Sequence, residues 1–184
     1  MLHRKLYARL VFYPTYYWNL HCAKVRKIRN WWDRIDENVI VGALPRRVDV
    51  PLLHGEGVTG VVNTCEEYRG PLAAYQQFGI EQFRMPTIDF THPKLQDVEA
   101  AVQFIQQHAE QGGTVYVHCK AGRARSATVA LCWLVETKKL SPAEGQLLLL
   151  EKRQHINPRL TERSVVQEFA QARGFVIAAA KKKS

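Results

Sequence analysis

Short apolar runs bounded by turn residues alternate, along most of this chain, with longer segments whose apolar positions recur every three to four residues. Asn38 to Val41 is the first β-type run, closed by Gly42 and Pro45 and led into by the mixed stretch Trp31 to Glu37. Val58 to Asn63 and Ile80 to Met85 are two more predicted strands, separated by a short helix from Pro71 to Phe78 that Gly79 stops. Thr87 to Pro93 reads as a polar loop. From Lys94 to Gln111, Leu95, Val98, Val102, Ile105 and Ala109 keep helical spacing, which predicts a helix with one buried face.

Gly112-Gly113 ends that helix, and Thr114 to His118 reads as a buried strand. Helical composition returns at Ser126 and continues through Cys132, Trp133 and Leu134 as a core-facing surface, so Cys119 to Arg125 is the turn between strand and helix. Ser141-Pro142-Ala143-Glu144 is a capping box that opens a helix to Leu150, and a last helix is predicted from Arg159 to Arg173. Strands alternating with helices through short links imply an α/β fold with a central, mostly parallel sheet flanked by helices. In such folds active residues lie at the carboxyl ends of strands.

The 184 residues suit one domain, and no apolar run is long enough to span a bilayer. The four cysteines form no CxxC pair and no zinc-site spacing, which predicts reduced thiols and no metal. Charge is uneven: the net excess of +9 sits entirely at the two ends, with seven Lys/Arg and no acid in residues 1–32, and Lys181, Lys182 and Lys183 in the tail. The near-neutral body argues against a nucleic-acid partner. The expected organisation is a basic hydrophobic arm over residues 1–30, a catalytic domain over 31–177 and a basic tail over 178–184.

Two readings fit the arm. Its cations, interleaved with Leu6, Leu10, Phe12, Tyr13, Tyr16, Tyr17 and Trp18, suit a targeting segment or an anchor on anionic lipid. Alternatively it is an extension packed on the domain by its aromatics. Pro14 argues against one uninterrupted helix. If the arm is only an anchor, its removal spares hydrolysis of a soluble substrate.

The chemistry concentrates at Cys119. A turn between a strand end and a helix N-terminus offers backbone N–H groups and the positive end of the helix dipole, a setting for a phosphate dianion and for a thiolate. Lys120, Arg123 and Arg125 lie within six residues of the thiol, and Gly122 supplies conformational freedom. Arg125 offers a planar fork to two phosphoryl oxygens, and Ser126 offers a hydroxyl to the sulfur.

His118-Cys119-Lys120-Ala121-Gly122-Arg123-Ala124-Arg125-Ser126 resembles the HCxxGxxRS signature of cysteine-dependent phosphatases of the tyrosine and dual-specificity superfamily. The resemblance implies that family's fold, Cys119 as nucleophile, Arg125 as phosphate ligand, and Lys120, Ala121, Gly122, Arg123, Ala124 and Ser126 as the substrate-binding loop. Asp89, in the loop thirty residues before Cys119, matches the family's acid loop; Asp97 and Glu99 fall in the predicted helix. His118 is expected behind the site, hydrogen-bonding near the thiolate. No cofactor and no metal is required.

Trp31 to Pro45, Asn63 to Tyr68, the Asp89 loop and HCKAGRARSAT together resemble the mitochondrial dual-specificity phosphatases that act on phosphatidylglycerophosphate in cardiolipin synthesis. That resemblance implies an anionic phospholipid substrate, peripheral location on the matrix side of the mitochondrial inner membrane, and Glu66, Glu67 and Tyr68 bordering the active site. It leaves the oligomeric state open. Two positions depart from the pattern: Arg69 replaces a glutamate after the tyrosine, and Ala124 replaces a serine before the arginine. Lys120 and Arg123 are expected to serve a second anion beside the scissile phosphate. The alternatives are a protein tyrosine, dual-specificity or phosphoinositide phosphatase, and a non-catalytic phospho-binding module.

Overall fold

The computed structural model describes residue 7 and residues 10–176, except for the side chain of Lys24. The basic tail and the arm residues Arg4, Lys5 and Arg9 lie outside the described residues. A five-stranded sheet has the order β1-β2-β5-β3-β4, where β1 is Trp32–Arg34, β2 Val39–Gly42, β3 Val58–Cys65, β4 Glu81–Thr87 and β5 Thr114–His118. Strands β2 to β5 pair in parallel and β1 pairs antiparallel to β2, so the sheet is mostly parallel as the pattern implied. Central strands buried on both faces read as continuous apolar runs, which is why β2 and β5 were plain in the sequence.

On one face pack α4 (Leu95–Glu110), α5 (Arg125–Thr137), α6 (Pro142–Lys152) and α7 (Ser164–Gln171), with Val98, Ile105, Leu131, Leu134 and Phe169 in the core. The other face carries the short helices α2 (Val50–Gly55) and α3 (Leu72–Gln77) over Ile40, Val61, Tyr75 and Tyr116. The capping box at Ser141 forms as expected, the hydroxyl accepting from the Glu144 N–H while the Glu144 carboxylate accepts from Ser141.

Several boundaries differ from the pattern reading. Strand β4 continues through Pro86 to Thr87, tolerated because β4 is an edge strand and a missing N–H costs no central ladder bond. Strand β1 and helix α2 carry no extended apolar run and were not foreseen. The last helix begins at Ser164, not Arg159; Leu160–Glu162 is a 3-10 turn and Arg163 between them is extended.

The arm is structured. Helix α1 (Phe12–Leu20) runs into a π-helical turn at His21–Val25, and Pro14 falls in its first turn, where a missing N–H breaks nothing. Phe12, Asn19 and Cys22 are buried, the Tyr16 ring meets Trp31 edge-on at 6.1 Å, and Asn19 Oδ1 accepts from Arg29 at 3.3 Å. The packed reading of the arm therefore describes the inner side of α1. Removing residues 1–30 forfeits burial on the order of 3 kcal/mol. At about 2–4 °C per kcal/mol, calorimetry should show the melting midpoint lowered by roughly 6–12 °C.

Candidate active site

The carboxyl ends of β2, β3, β4 and β5 bring Gly42, Cys65, Thr87 and His118 to one edge of the sheet, where the turn from Cys119 to Ala124 opens α5. What shapes that turn is a set of donors outside it. The Lys120 carbonyl accepts from the Leu44 N–H at 3.3 Å and the Arg123 carbonyl from the Asn157 N–H at 3.0 Å. Arg153 donates from Nε to the Gly122 carbonyl at 2.8 Å and from Nη2 to Ala121 at 3.4 Å. The Ala124 carbonyl accepts from Thr128 and from Arg163 Nη1 at 3.4 Å. In a planar trans peptide the N–H points away from its C=O, so carbonyls held outward turn the amides inward.

The Cys119 thiol receives those amides. Burial on its own raises its pKa, but the Arg125 charge, the Ser126 hydroxyl and the Ser126 and Arg123 N–H groups overcome it and bring the thiol down to about 7. Ser126 Oγ donates to Cys119 Sγ at 3.3 Å. Gly122 sits at φ +63°, and a Cβ there would lie 2.4 Å from the Gly42 carbonyl carbon and 2.7 Å from Arg153 Nη2. Both the backbone conformation and the close approach exclude a side chain.

Arg125 is buried among acids. Nη1 donates to Glu67 Oε2 at 2.9 Å and to the Thr87 carbonyl at 2.7 Å, while Nη2 lies 3.1 Å from Asp89 Oδ1. Burial opposes its charge, yet Cys65, Cys119, Asp89 and Glu67 more than reverse that and raise its pKa. Glu67 also accepts from the Asp89 N–H through Oε1 at 3.1 Å, so one carboxylate ties the arginine to the acid loop. Lys120 Nζ lies 2.6 Å from Asp89 Oδ2; both this and the Arg125 Nη2 contact to Asp89 are charge pairs rather than aligned hydrogen bonds. The Lys120 ammonium also stands over two rings, Phe12 of α1 at 5.7 Å and Phe90 at 5.6 Å. The acid loop turns tightly at Ile88–Thr91, with Phe90 at φ +63°, a region bulky residues rarely enter.

Cys119, Lys120, Arg125, Asp89 and Phe90 line a cleft of about 490 Å³, shared with Thr15, His92, Arg123, Asn157 and Arg163. A larger hollow of about 730 Å³, lined by Glu99, Gln106, Glu136 and Arg173, lies away from the thiol and the turn.

Residues 39–182 match the family model described as dual specificity phosphatase, catalytic domain. The chain belongs to the dual specificity phosphatase family. As such it is a phosphoric monoester hydrolase. Among its relatives, phosphatidylglycerophosphate phosphatase PTPMT2 of Arabidopsis thaliana is 41% identical over 89% of this chain and 73% of its own. Phosphatidylglycerophosphatase and protein-tyrosine phosphatase 1 of Homo sapiens is 39% identical over 88% of this chain and 85% of its own. The crystal structure of PTPMT1 in complex with PI(5)P matches with a TM-score of 0.71 at 34% identity, covering 79% of this chain and all of that one.

In this phosphatase the residues singled out from sequence converge on the turn. Lys120 is buried and lies 2.6 Å from Asp89, whereas Arg123 is exposed at the rim. His118 is fully buried beside Tyr116 and Tyr68; burial brings its pKa down to about 3, and neither ring nitrogen makes a hydrogen bond of good geometry. The imidazole stands beside the Cys119 main chain, whose hydrogen bond raises its pKa against the larger effect of burial, and Thr64 Oγ1 donates to the His118 carbonyl at 2.8 Å.

Of the acidic stretch, Glu67 enters the site; Glu66 joins through its N–H, which donates to Thr87 at 3.4 Å. Tyr68 donates its hydroxyl to the Pro45 carbonyl at 2.7 Å. Asp97 and Glu99 lie on α4, as their spacing implied, and Arg69 is exposed. Sequence reasoning missed Arg153, Asn157 and Arg163, because an arginine at a helix end ordinarily reads as a partner for the helix dipole.

The geometry predicts that the rate of Cys119 alkylation by iodoacetamide rises with pH around a midpoint near 7. Ser126→Ala removes a donor to the sulfur and should move that midpoint upward. Gly122→Ala is expected to lower phosphate release by about 100-fold or more, since the turn cannot keep its shape. A variant with near-normal turnover would show that the turn tolerates a side chain.

Proposed function

We propose that this chain hydrolyses the terminal phosphomonoester of phosphatidylglycerophosphate, yielding phosphatidylglycerol and phosphate at an anionic membrane surface. The observation that carries the reading is the thiol of lowered pKa enclosed by inward amides and Arg125, in a chain about 40% identical to phosphatases whose names specify that lipid. A phosphoinositide bound to the similar PTPMT1 supports a phospholipid substrate for this cleft. The exposed Arg123 at the cleft rim suits the phosphodiester one glycerol away from the scissile group.

The chemistry runs in two displacements. The Cys119 thiolate attacks phosphorus, the S–P bond forms as the P–O bond to the lipid glycerol breaks, and Asp89 delivers a proton to the departing oxygen. A phosphoryl group in the turn competes with Asp89 for Arg125, which frees the carboxyl to face the leaving group. Water then attacks phosphorus as Asp89 takes its proton, and the S–P bond breaks to return the thiolate, eased by the Ser126 hydroxyl. Arg125 and the amides of residues 120–125 stabilise equatorial charge in both steps. Ala124 supplies its amide without a hydroxyl.

The location that suits this substrate is the matrix side of the mitochondrial inner membrane, within cardiolipin synthesis. Peripheral rather than spanning attachment is supported by the described helices, none of which is long and apolar enough to cross a membrane.

Cys119→Ser is expected to abolish phosphate release while leaving the melting midpoint nearly unchanged. Asp89→Ala should lower kcat by about 100-fold for an alkyl phosphate and much less for an activated aryl phosphate; equal losses would remove Asp89 as proton donor. Substrate is tested by kcat/KM on phosphatidylglycerophosphate vesicles against phosphotyrosine peptides, with Arg123→Ala expected to harm the lipid reaction selectively. A better rate on the peptides would favour the protein-phosphatase alternative.

A further inference from the structure

Helix α1 is apolar on both sides, and only one side is covered. Phe12, Tyr16, Asn19 and Cys22, spaced by four, three and three residues, face the domain. The opposite stripe is Tyr7, Leu10, Tyr13 and Tyr17, spaced by three, three and four, with Trp18 beside it. The Tyr7 carbonyl accepts from Val11 and the Val11 carbonyl from Thr15, which ties Tyr7 to the start of α1. These five outer residues are 58–68% exposed, and Phe90 of the acid loop, 67% exposed, continues the patch with its ring 5.8 Å from Tyr7. A helix with apolar residues all round is ordinarily enclosed, and so large a patch marks an interaction surface.

The composition of the patch selects its partner. Tyrosine and tryptophan present an apolar body with a polar tip, the arrangement that suits a lipid–water boundary. Exposed Arg26 and Lys27 and half-buried Arg29 follow on the same segment, and residues 1–32 contain no acid, so the surface is complementary to anionic lipid. The same helix reaches the chemistry from its inner side: Thr15 lines the catalytic cleft, and Phe12 stands against Lys120, which pairs with Asp89.

We infer that α1 seats the enzyme in the interface of an anionic bilayer by its outer face while its inner face forms a wall of the catalytic cleft. The mouth of the cleft then lies at the lipid surface, and Phe12 positions Lys120 and through it the acid loop. The inference rests on the lipid-phosphatase reading for the choice of surface.

The test uses the full chain and phosphatidylcholine vesicles with or without phosphatidylglycerol, containing no phosphomonoester. Wild type should co-sediment with the anionic vesicles. Leu10→Ser, Tyr17→Ser and Trp18→Ser combined should weaken partitioning by about tenfold or more and leave hydrolysis of a soluble aryl phosphate unchanged. Arg26→Gln with Lys27→Gln should remove much of the salt-sensitive part. Phe12→Ala should keep vesicle binding yet lower kcat/KM for the aryl phosphate several-fold and alter its pH profile, a change that lost packing elsewhere would not produce. Unchanged vesicle binding by the triple variant overturns the docking face, and so does loss of its soluble activity. A wild-type dimer in sedimentation that the triple variant dissolves assigns the face to a second copy instead. Unaltered kinetics in Phe12→Ala overturns the wall. Failure to hydrolyse phosphatidylglycerophosphate while vesicle binding persists would overturn the substrate reading alone.

Discussion

The outward pinning of the carbonyls from Lys120 to Ala124 is the constraint on which the site depends. Each of those oxygens has a donor outside the turn, and a single buried guanidinium, Arg153, serves two of them. Without those donors the peptides are free to rotate, and the amides lose their common direction. The common direction of the amides, the anion-binding concavity and the entry into α5 are thus consequences of bonds made by residues that never touch the phosphorus. Burial works against the charge of Arg153, and its ion pair with Asp33 supports that charge where water cannot.

A second layer of order comes from Glu67. It holds the arginine that binds phosphate and the main chain of the loop that carries the acid, so the two halves of the chemistry share one carboxylate. Lys120 adds a third connection, from the phosphate turn to Asp89 and to the rings of Phe12 and Phe90. Acid loop, turn and arm are consequently coupled by charge at close range in a water-poor setting, where such pairs count for more than at the surface.

Most of the fold was legible because buried parallel strands and one-faced helices write their period directly into the sequence. Strand β1 was not, since Trp32-Asp33-Arg34 offers no apolar run and forms by pairing with β2 at the sheet edge. The end of the chain misled for a different reason: Arg163 leaves helical geometry to reach Thr128 and Ala124, a tertiary pull that no local preference announces. At the site, the thiol, the arginine and the serine were readable because their spacing is local. Arg153, Asn157 and Thr64 were not, because they act on main-chain oxygens far away in sequence, and a carbonyl leaves no mark in the residue type that bears it.

The distance of those supports along the chain has a consequence for the newly made protein. The turn at residues 120–124 is shaped by Leu44 on one side and by Arg153, Asn157 and Arg163 on the other, and Arg153 in turn grips Asn30, Trp31 and Asp33. During synthesis Cys119 therefore emerges well before Arg153, Asn157 and Arg163, which hold the turn in shape, and an unperturbed thiol near ~8.5 is mostly protonated at neutral pH. Reactivity arrives only when the last third of the chain has closed on the first, so the nascent polypeptide carries an ordinary thiol, and the finished enzyme acquires its nucleophile as a property of complete folding.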